Sequence, residues 1–150
     1  MLYTVGHSTL LPHDFINILK NYKIISLLDV RGVPYSKYAP QFNKEVLQEL
    51  CSMSSITYYH VPILSHKNIS QYHKPSAKIL KYLQRIVDIS LEANVVLMGP
   101  TWNYDKCHRK QITDWILEFS NISINHINVQ DNTVITENHV ISQTSFFDYL

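Results

Sequence analysis

The chain has 150 residues, 45% of them hydrophobic and 17% charged, which suits one globular domain over residues 1–150 and excludes a disordered chain. Thirteen basic and twelve acidic side chains leave a net charge of +1; this excludes nucleic-acid binding by bulk charge and leaves only a local basic patch for it. Two cysteines, Cys51 and Cys107, make no disulfide framework, so a reducing cytoplasm is the expected setting. Residues 1–11 lack the basic start, apolar run and small-residue cleavage site of a signal peptide, and no apolar stretch is long enough to span a bilayer, so no membrane partner is expected.

In chain order, Leu2 to Gly6 is a short apolar run and predicts a first strand. Pro12 to Tyr22 places Phe15, Ile18, Leu19 and Tyr22 on one helical face, with Pro12 in the first turn, where its missing N–H costs nothing. Ile24 to Val30 is apolar enough for a strand buried on both faces. Residues 31–42, with Gly32, Pro34 and Pro40, read as a long loop. Asn43 predicts a helix start, with Phe42 and Leu47 as a hydrophobic staple and Val46, Leu47, Leu50 and Cys51 facing inward.

Ile56 to Val61 predicts a third strand, ended by Pro62, and residues 63–75 a polar loop containing His66 and His73. Ser76 caps a helix running to about Glu92. Asn94 to Met98 predicts a fourth strand. Asp105 is the expected cap of a helix that buries Ile112, Trp115, Ile116 and Phe119. Ile124 to Val129 predicts a fifth strand, which Asp131-Asn132 turns into a hairpin strand at Thr133 to Thr136. The tail, with Phe146, Phe147 and Tyr149, is apolar enough to dock on the domain or on a second copy, giving a homodimer.

Strand and helix alternate, which predicts an α/β fold with a doubly wound, mostly parallel sheet covered on both faces. The expected strand order is 3-2-1-4-5, with ligands binding beyond the carboxyl ends of the strands at the switch in order. All three glycines, Gly6, Gly32 and Gly99, fall at those ends, as do most of the polar groups that interrupt apolar runs.

Several of these groups carry two readings. Cys107, His108 and Arg109 sit in the expected first turn of a helix, where free N–H groups and the helix dipole favour anions and thiolates. The same spacing suits a buried cysteine beside a surface arginine. Asp29 and Arg31 share one side of a strand, as an acid/base group with an anion binder or as a structural ion pair. His7 and Ser8 offer a general base and a hydroxyl, or a hydrogen-bonded scaffold. Tyr35 and Tyr38, interleaved with Lys37, suit base stacking with phosphate contacts, or cover the sheet end.

The residues Thr4-Val5-Gly6-His7-Ser8, Leu28-Asp29-Val30-Arg31, Pro34, Pro40-Gln41-Phe42-Asn43, Tyr59-His60 and Cys107-His108-Arg109 resemble, in order and spacing, the motifs of the domain-of-unknown-function family DUF488. The resemblance implies a three-layer α/β/α domain with these residues clustered, and it implies no particular reaction. The chain departs from the family at Gly99-Pro100-Thr101, where members often carry C-x-E. Leu28-Asp29-Val30-Arg31 is also similar to the D-V-R of rhodanese-like domains, but Gly99 stands where their nucleophilic cysteine belongs.

Three functions follow as expectations. The first is an enzyme on a phosphate-bearing substrate, a nucleotide or nucleic acid. His7, Asp29 and Cys107 are its candidate catalytic groups, and Ser8, Arg31, Tyr35, Tyr38, His60, His108 and Arg109 its binding groups. The second is an anion-binding or nucleic-acid-binding module without catalysis, consistent with the missing Cys and Glu. The third, ranked last for want of metal-ligand spacing, is a metal site drawn from His7, His60, Cys107 and His108. No cofactor or metal is expected.

Overall fold

A computed structural model describes residues 1–138; the apolar tail and any dimer through it lie outside the described residues. The predicted alternation is present. Strand β1 (Leu2–Gly6) leads to α1 (Pro12–Asn21), β2 (Ser26–Asp29), α2 (Lys44–Met53) and β3 (Thr57–His60). A short α3 (His66–Ile69), α4 (Ala77–Glu92), β4 (Val95–Gly99), α5 (His108–Phe119), β5 (Ile124–Asn128) and β6 (Thr133–Glu137) complete it. Among these residues no helix is long and apolar enough to cross a membrane.

The strands form one six-stranded sheet in the order β3-β2-β4-β1-β5-β6. All neighbours are parallel except β5 and β6, which pair antiparallel as the expected hairpin. The expected order 3-2-1-4-5 is therefore corrected: β4 lies between β1 and β2. Both β1 and β4 are buried along their whole length, so apolar patterning cannot tell which lies nearer the middle. The crossovers decide it, since the links from β1 to β2 and from β4 to β5 each step over one strand.

Helices α1 and α2 cover one face. Phe15, Ile16, Leu19, Leu47 and Cys51 pack there with Tyr3, Val5, Leu27, Val96 and Met98. On the other face Ile79, Leu83 and Ile86 of α4 and Ile112, Trp115 and Ile116 of α5 pack on Leu2, Leu28, Val95, Leu97 and Ile124. The strand period of two thus sorts each residue to one face or the other. Chains leaving β1 and β2 turn to the first face and those leaving β4 to the second, so a crevice opens at the carboxyl end of β4.

Local starts follow their caps with two exceptions. Ser76 accepts from the Ile79 N–H and begins α4. Asn43 stands at the cap of α2 but its Oδ1 accepts from the Ser36 N–H at 2.9 Å, tying down the long loop. Asp105 is not the cap of α5. Asn103 accepts from the Asp105 N–H, a 3-10 turn spans Tyr104–Lys106, and the chain extends at Cys107, which becomes the N-cap. The polar stretch after β3 holds a 3-10 turn, Pro62–Leu64, and α3 rather than plain loop.

Gly6 and Gly99 are paired across β1 and β4. A Cβ on Gly6 would stand 1.8 Å from the Thr101 carbonyl oxygen, whereas one on Gly99 would meet Arg109 Cδ at an ordinary 3.4 Å. Neither glycine has a positive φ. Gly6→Ala is expected to cost at least about 3 kcal/mol, since backbone would have to move. Gly99→Ala should stay within about 1 kcal/mol of the parent. Urea denaturation of both variants checks the contrast, and equal midpoints would refute it.

Candidate functional site

Past the ends of β1 and β4 the pairing continues: the His7 N–H donates to the Gly99 carbonyl at 3.0 Å and the Ser8 N–H to the Pro100 carbonyl at 2.9 Å. Ser8 takes a positive φ of 51° to make this bend. Its own carbonyl lies 2.8 Å from His7 Nδ1. A carbonyl only accepts, so Nδ1 carries the proton and Nε2 is the acceptor nitrogen of the ring, which takes a hydrogen bond from Arg31. Arg31 Nη1 lies 3.4 Å from that Nε2, and the ring stacks on Phe42 at 4.6 Å. Burial pushes the His7 pKa down to about 4, against the opposing pull of the Ser8 carbonyl.

Asp29 and Arg31 do share one side, as a buried ion pair. Asp29 Oδ1 accepts from the Arg31 N–H at 3.1 Å and from Nε at 2.9 Å. Oδ2 accepts from Nη2 at 2.8 Å and from the Tyr58 hydroxyl. Nη2 also donates to the Phe42 carbonyl. Asp29 is 0% exposed, and both of its oxygens are engaged. Of the guanidinium, Nη1 donates one N–H to His7 Nε2 and keeps the other.

Above this pair lies a cleft of about 750 Å³, lined among others by His7, Arg31, Gly32, Tyr35, Ser65, His66, Lys67 and His108. Among the described residues, no aspartate or glutamate lines it. His108 Nε2 donates to the Val30 carbonyl at 3.1 Å. Burial lowers the His108 pKa, again partly offset by that carbonyl. His66 and His108 meet edge to face at 6.3 Å. Ser65, Lys67 and Asn68 belong to this wall and carry no signal at the level of motifs. Their pointer is position alone, in the polar stretch after the third strand.

Arg109 and Cys107 belong elsewhere. Arg109 is 0% exposed and is not among the described residues lining the cleft that Arg31 lines. Its Nη2 donates to the Thr101 carbonyl at 2.5 Å, Nη1 to Thr4 Oγ1 at 3.3 Å and Nε to Cys107 Sγ at 3.2 Å. Thr4 Oγ1 is in turn hydrogen-bonded to His126 Nδ1 at 2.7 Å. Glu137 Oε1 lies 3.4 Å from Nε2 without completing a hydrogen bond. Burial, reinforced by Arg109 and Lys110, pushes the His126 pKa down to about 4. Cys107 is half-buried and free, whereas Cys51 is buried.

The remaining candidates are spread out. Tyr35 lines the cleft and donates to Glu45 Oε1 at 2.6 Å, while Tyr38 is 93% exposed and stands apart from the lining. His60 Nε2 donates to the Arg31 carbonyl at 2.7 Å and lines a separate, largely apolar hollow between β3 and α4. Among the described residues, no three His, Cys, Asp or Glu side chains converge as a metal site requires.

A family model described as "Domain of unknown function DUF488" matches residues 12–116, more than two thirds of the chain. The match takes in Asp29 to Arg31, Pro40 to Asn43 and Cys107 to Arg109, and begins past His7. No curated protein and no solved structure matches the chain.

Two measurements test this geometry. His7 and His126 are neutral in the fold, so their stabilising share is complete above the unfolded value of about 6.5 and is lost as pH falls toward 4. Between pH 7 and pH 5 each is expected to withdraw about 2 kcal/mol. The drop in unfolding free energy over that interval should shrink in His126→Gln, and an unchanged drop would refute the assignment. Burial pushes the Cys51 thiol up to about 12. Iodoacetamide should therefore label Cys107 well before Cys51 in the folded protein, as mass mapping would read, and equal labelling would contradict the described packing.

Proposed function

This chain belongs to the DUF488 family, and we propose that it binds a phosphate-bearing small molecule in the cleft at the carboxyl end of its sheet. The observation that carries this reading is the lining: two cations, Arg31 and Lys67, and three imidazoles, His7, His66 and His108, with no carboxylate among the described lining residues. Asp29 lies close by, but it is covered and spent on Arg31 and Tyr58. An anion entering the cleft therefore meets donors only partly offset by fixed negative charge.

The cavity of about 750 Å³ is of the size that holds a nucleotide-scale ligand rather than a bare ion. Tyr35 offers a flat wall for its apolar part. A nucleic-acid strand would call for a long cationic track, and the net charge of +1 together with a concave cleft favours the small molecule. Arg31 Nη1 is the guanidinium edge left for the ligand, and Lys67 and His66 stand at the exposed rim.

Binding is favoured over turnover. Of the candidate catalytic groups, Asp29 has no free lone pair facing the cleft and Cys107 is not among the lining residues. One observation favours a catalytic second reading: His7 lines the cleft with Nε2 as its acceptor nitrogen, which here accepts from Arg31 Nη1. A pKa of about 4 makes that nitrogen a weak proton acceptor at neutral pH.

Isothermal titration with AMP and with inorganic phosphate tests the reading. Lys67→Ala and His66→Ala remove exposed side chains, so both variants should fold normally and bind about 3- to 10-fold more weakly, with the parent's affinity falling as salt rises. Arg31→Lys is expected to cost about 2–4 kcal/mol of stability as well, because an ammonium cannot replace the paired contacts to Asp29. Absence of binding by the parent protein at millimolar ligand would overturn the proposal.

A further inference from the structure

One hydroxyl in the cleft has no hydrogen-bond partner among the described residues. Ser65 is 3% exposed and lines the cleft beside Arg31, Gly32 and His66. It occupies the N-cap position of α3, with φ −70° and ψ 156°, yet its side chain makes no capping bond. Its backbone is fully used: the N–H donates to the Pro62 carbonyl, and its carbonyl accepts from the Asn68 and Ile69 N–H groups. Ser76 shows the ordinary arrangement, with Oγ turned in to accept from the Ile79 N–H at 3.2 Å.

A serine at an N-cap gains stability by bonding the first turn. Ser65 forgoes that bond, and its Oγ is not one of the enclosed polar atoms without a partner, so the hydroxyl opens on the cleft. Gly32 stands against it. A Cβ on Gly32 would lie 3.2 Å from Ser65 Cβ and 3.3 Å from Ser65 Oγ, tighter than side chains normally approach. The backbone does not ask for glycine there, since no glycine of the described chain has a positive φ. What Gly32 supplies is space beside the hydroxyl, on the lining of the cleft.

We propose that Ser65 and Gly32 form a subsite of the cleft in which Ser65 Oγ donates to a phosphoryl oxygen of the ligand, while Gly32 leaves room for that oxygen. The proposal rests on the anion-binding reading and adds to it a neutral donor and a steric condition. A hydroxyl can deliver a single directed hydrogen bond without adding charge, so this contact places the phosphoryl group. Arg31 and Lys67 supply the attraction.

The test is titration of AMP and of inorganic phosphate into the parent protein, S65A and G32A, with melting curves of each unliganded protein. S65A should bind both probes about tenfold more weakly, a loss of about 1.4 kcal/mol, and G32A should also weaken both by crowding the hydroxyl. Because Ser65 makes no cap, unliganded S65A should melt at or above the parent temperature, whereas S76A should melt several degrees lower. Equal affinity of S65A and the parent would overturn the subsite and leave the anion-binding reading standing. Failure of the parent to bind either probe would overturn both. A melting temperature of S65A lowered as far as that of S76A would reveal a capping hydroxyl and overturn the subsite.

Discussion

The buried pairing of Asp29 with Arg31 is the interaction on which the rest of the carboxyl end of the sheet depends. Two charges taken out of water are tolerated only when their remaining donors and acceptors are met. Here Asp29 is met by both the main chain and the guanidinium of Arg31, and again by the Tyr58 hydroxyl of β3. The guanidinium in turn holds the Phe42 carbonyl and faces His7. One ion pair thereby joins β2, β3, the loop before α2 and the bend after β1. The same pairing fixes which edge of the guanidinium stays free, so the scaffold and the ligand-facing donor are set by one geometry.

The second arginine solves the problem of burial differently. Arg109 has no carboxylate partner among the described residues and spreads its donors over a carbonyl, a hydroxyl and a sulfur. That guanidinium fastens the segment between β4 and α5 to β1 and, through Thr4, to His126 on β5. The Cys107-His108-Arg109 signature is thus divided by the sheet end. His108 reaches the cleft, while Arg109 turns under the helix to the interior. Gly99 and Thr101, where the family pattern has Cys and Glu, here give Arg109 a bare Cα to lie against and a carbonyl to bond.

Much of this was legible in the residues and some of it was not, for identifiable reasons. Apolar runs and helical spacing located the strands and the main helices because burial imposes those periods. Alternation put Asp29 and Arg31 together because a strand has only two sides. Lateral order was not legible, since β1 and β4 present the same unbroken apolar face to any neighbour. The start of α5 was misplaced because Asn103 captures the Asp105 N–H and makes a separate turn first. Arg109 was read as a ligand contact because position on a helix says where the Cα lies and not where a long side chain ends. Ser65 and Lys67 were missed because a polar wall has no period and acquires meaning only when the third strand is set beside the second.

Strand β3 forms one margin of the sheet, and it is four residues long, with Pro62 two positions beyond its end. Its outward edge offers about two N–H and two carbonyl groups to an approaching strand. Proline cannot extend that row. A neighbouring chain in extended form would find too short a template to zip onto, and so this side of the molecule terminates sheet growth. The brevity that makes β3 look like a minor element is also what keeps the sheet from recruiting strangers along that border.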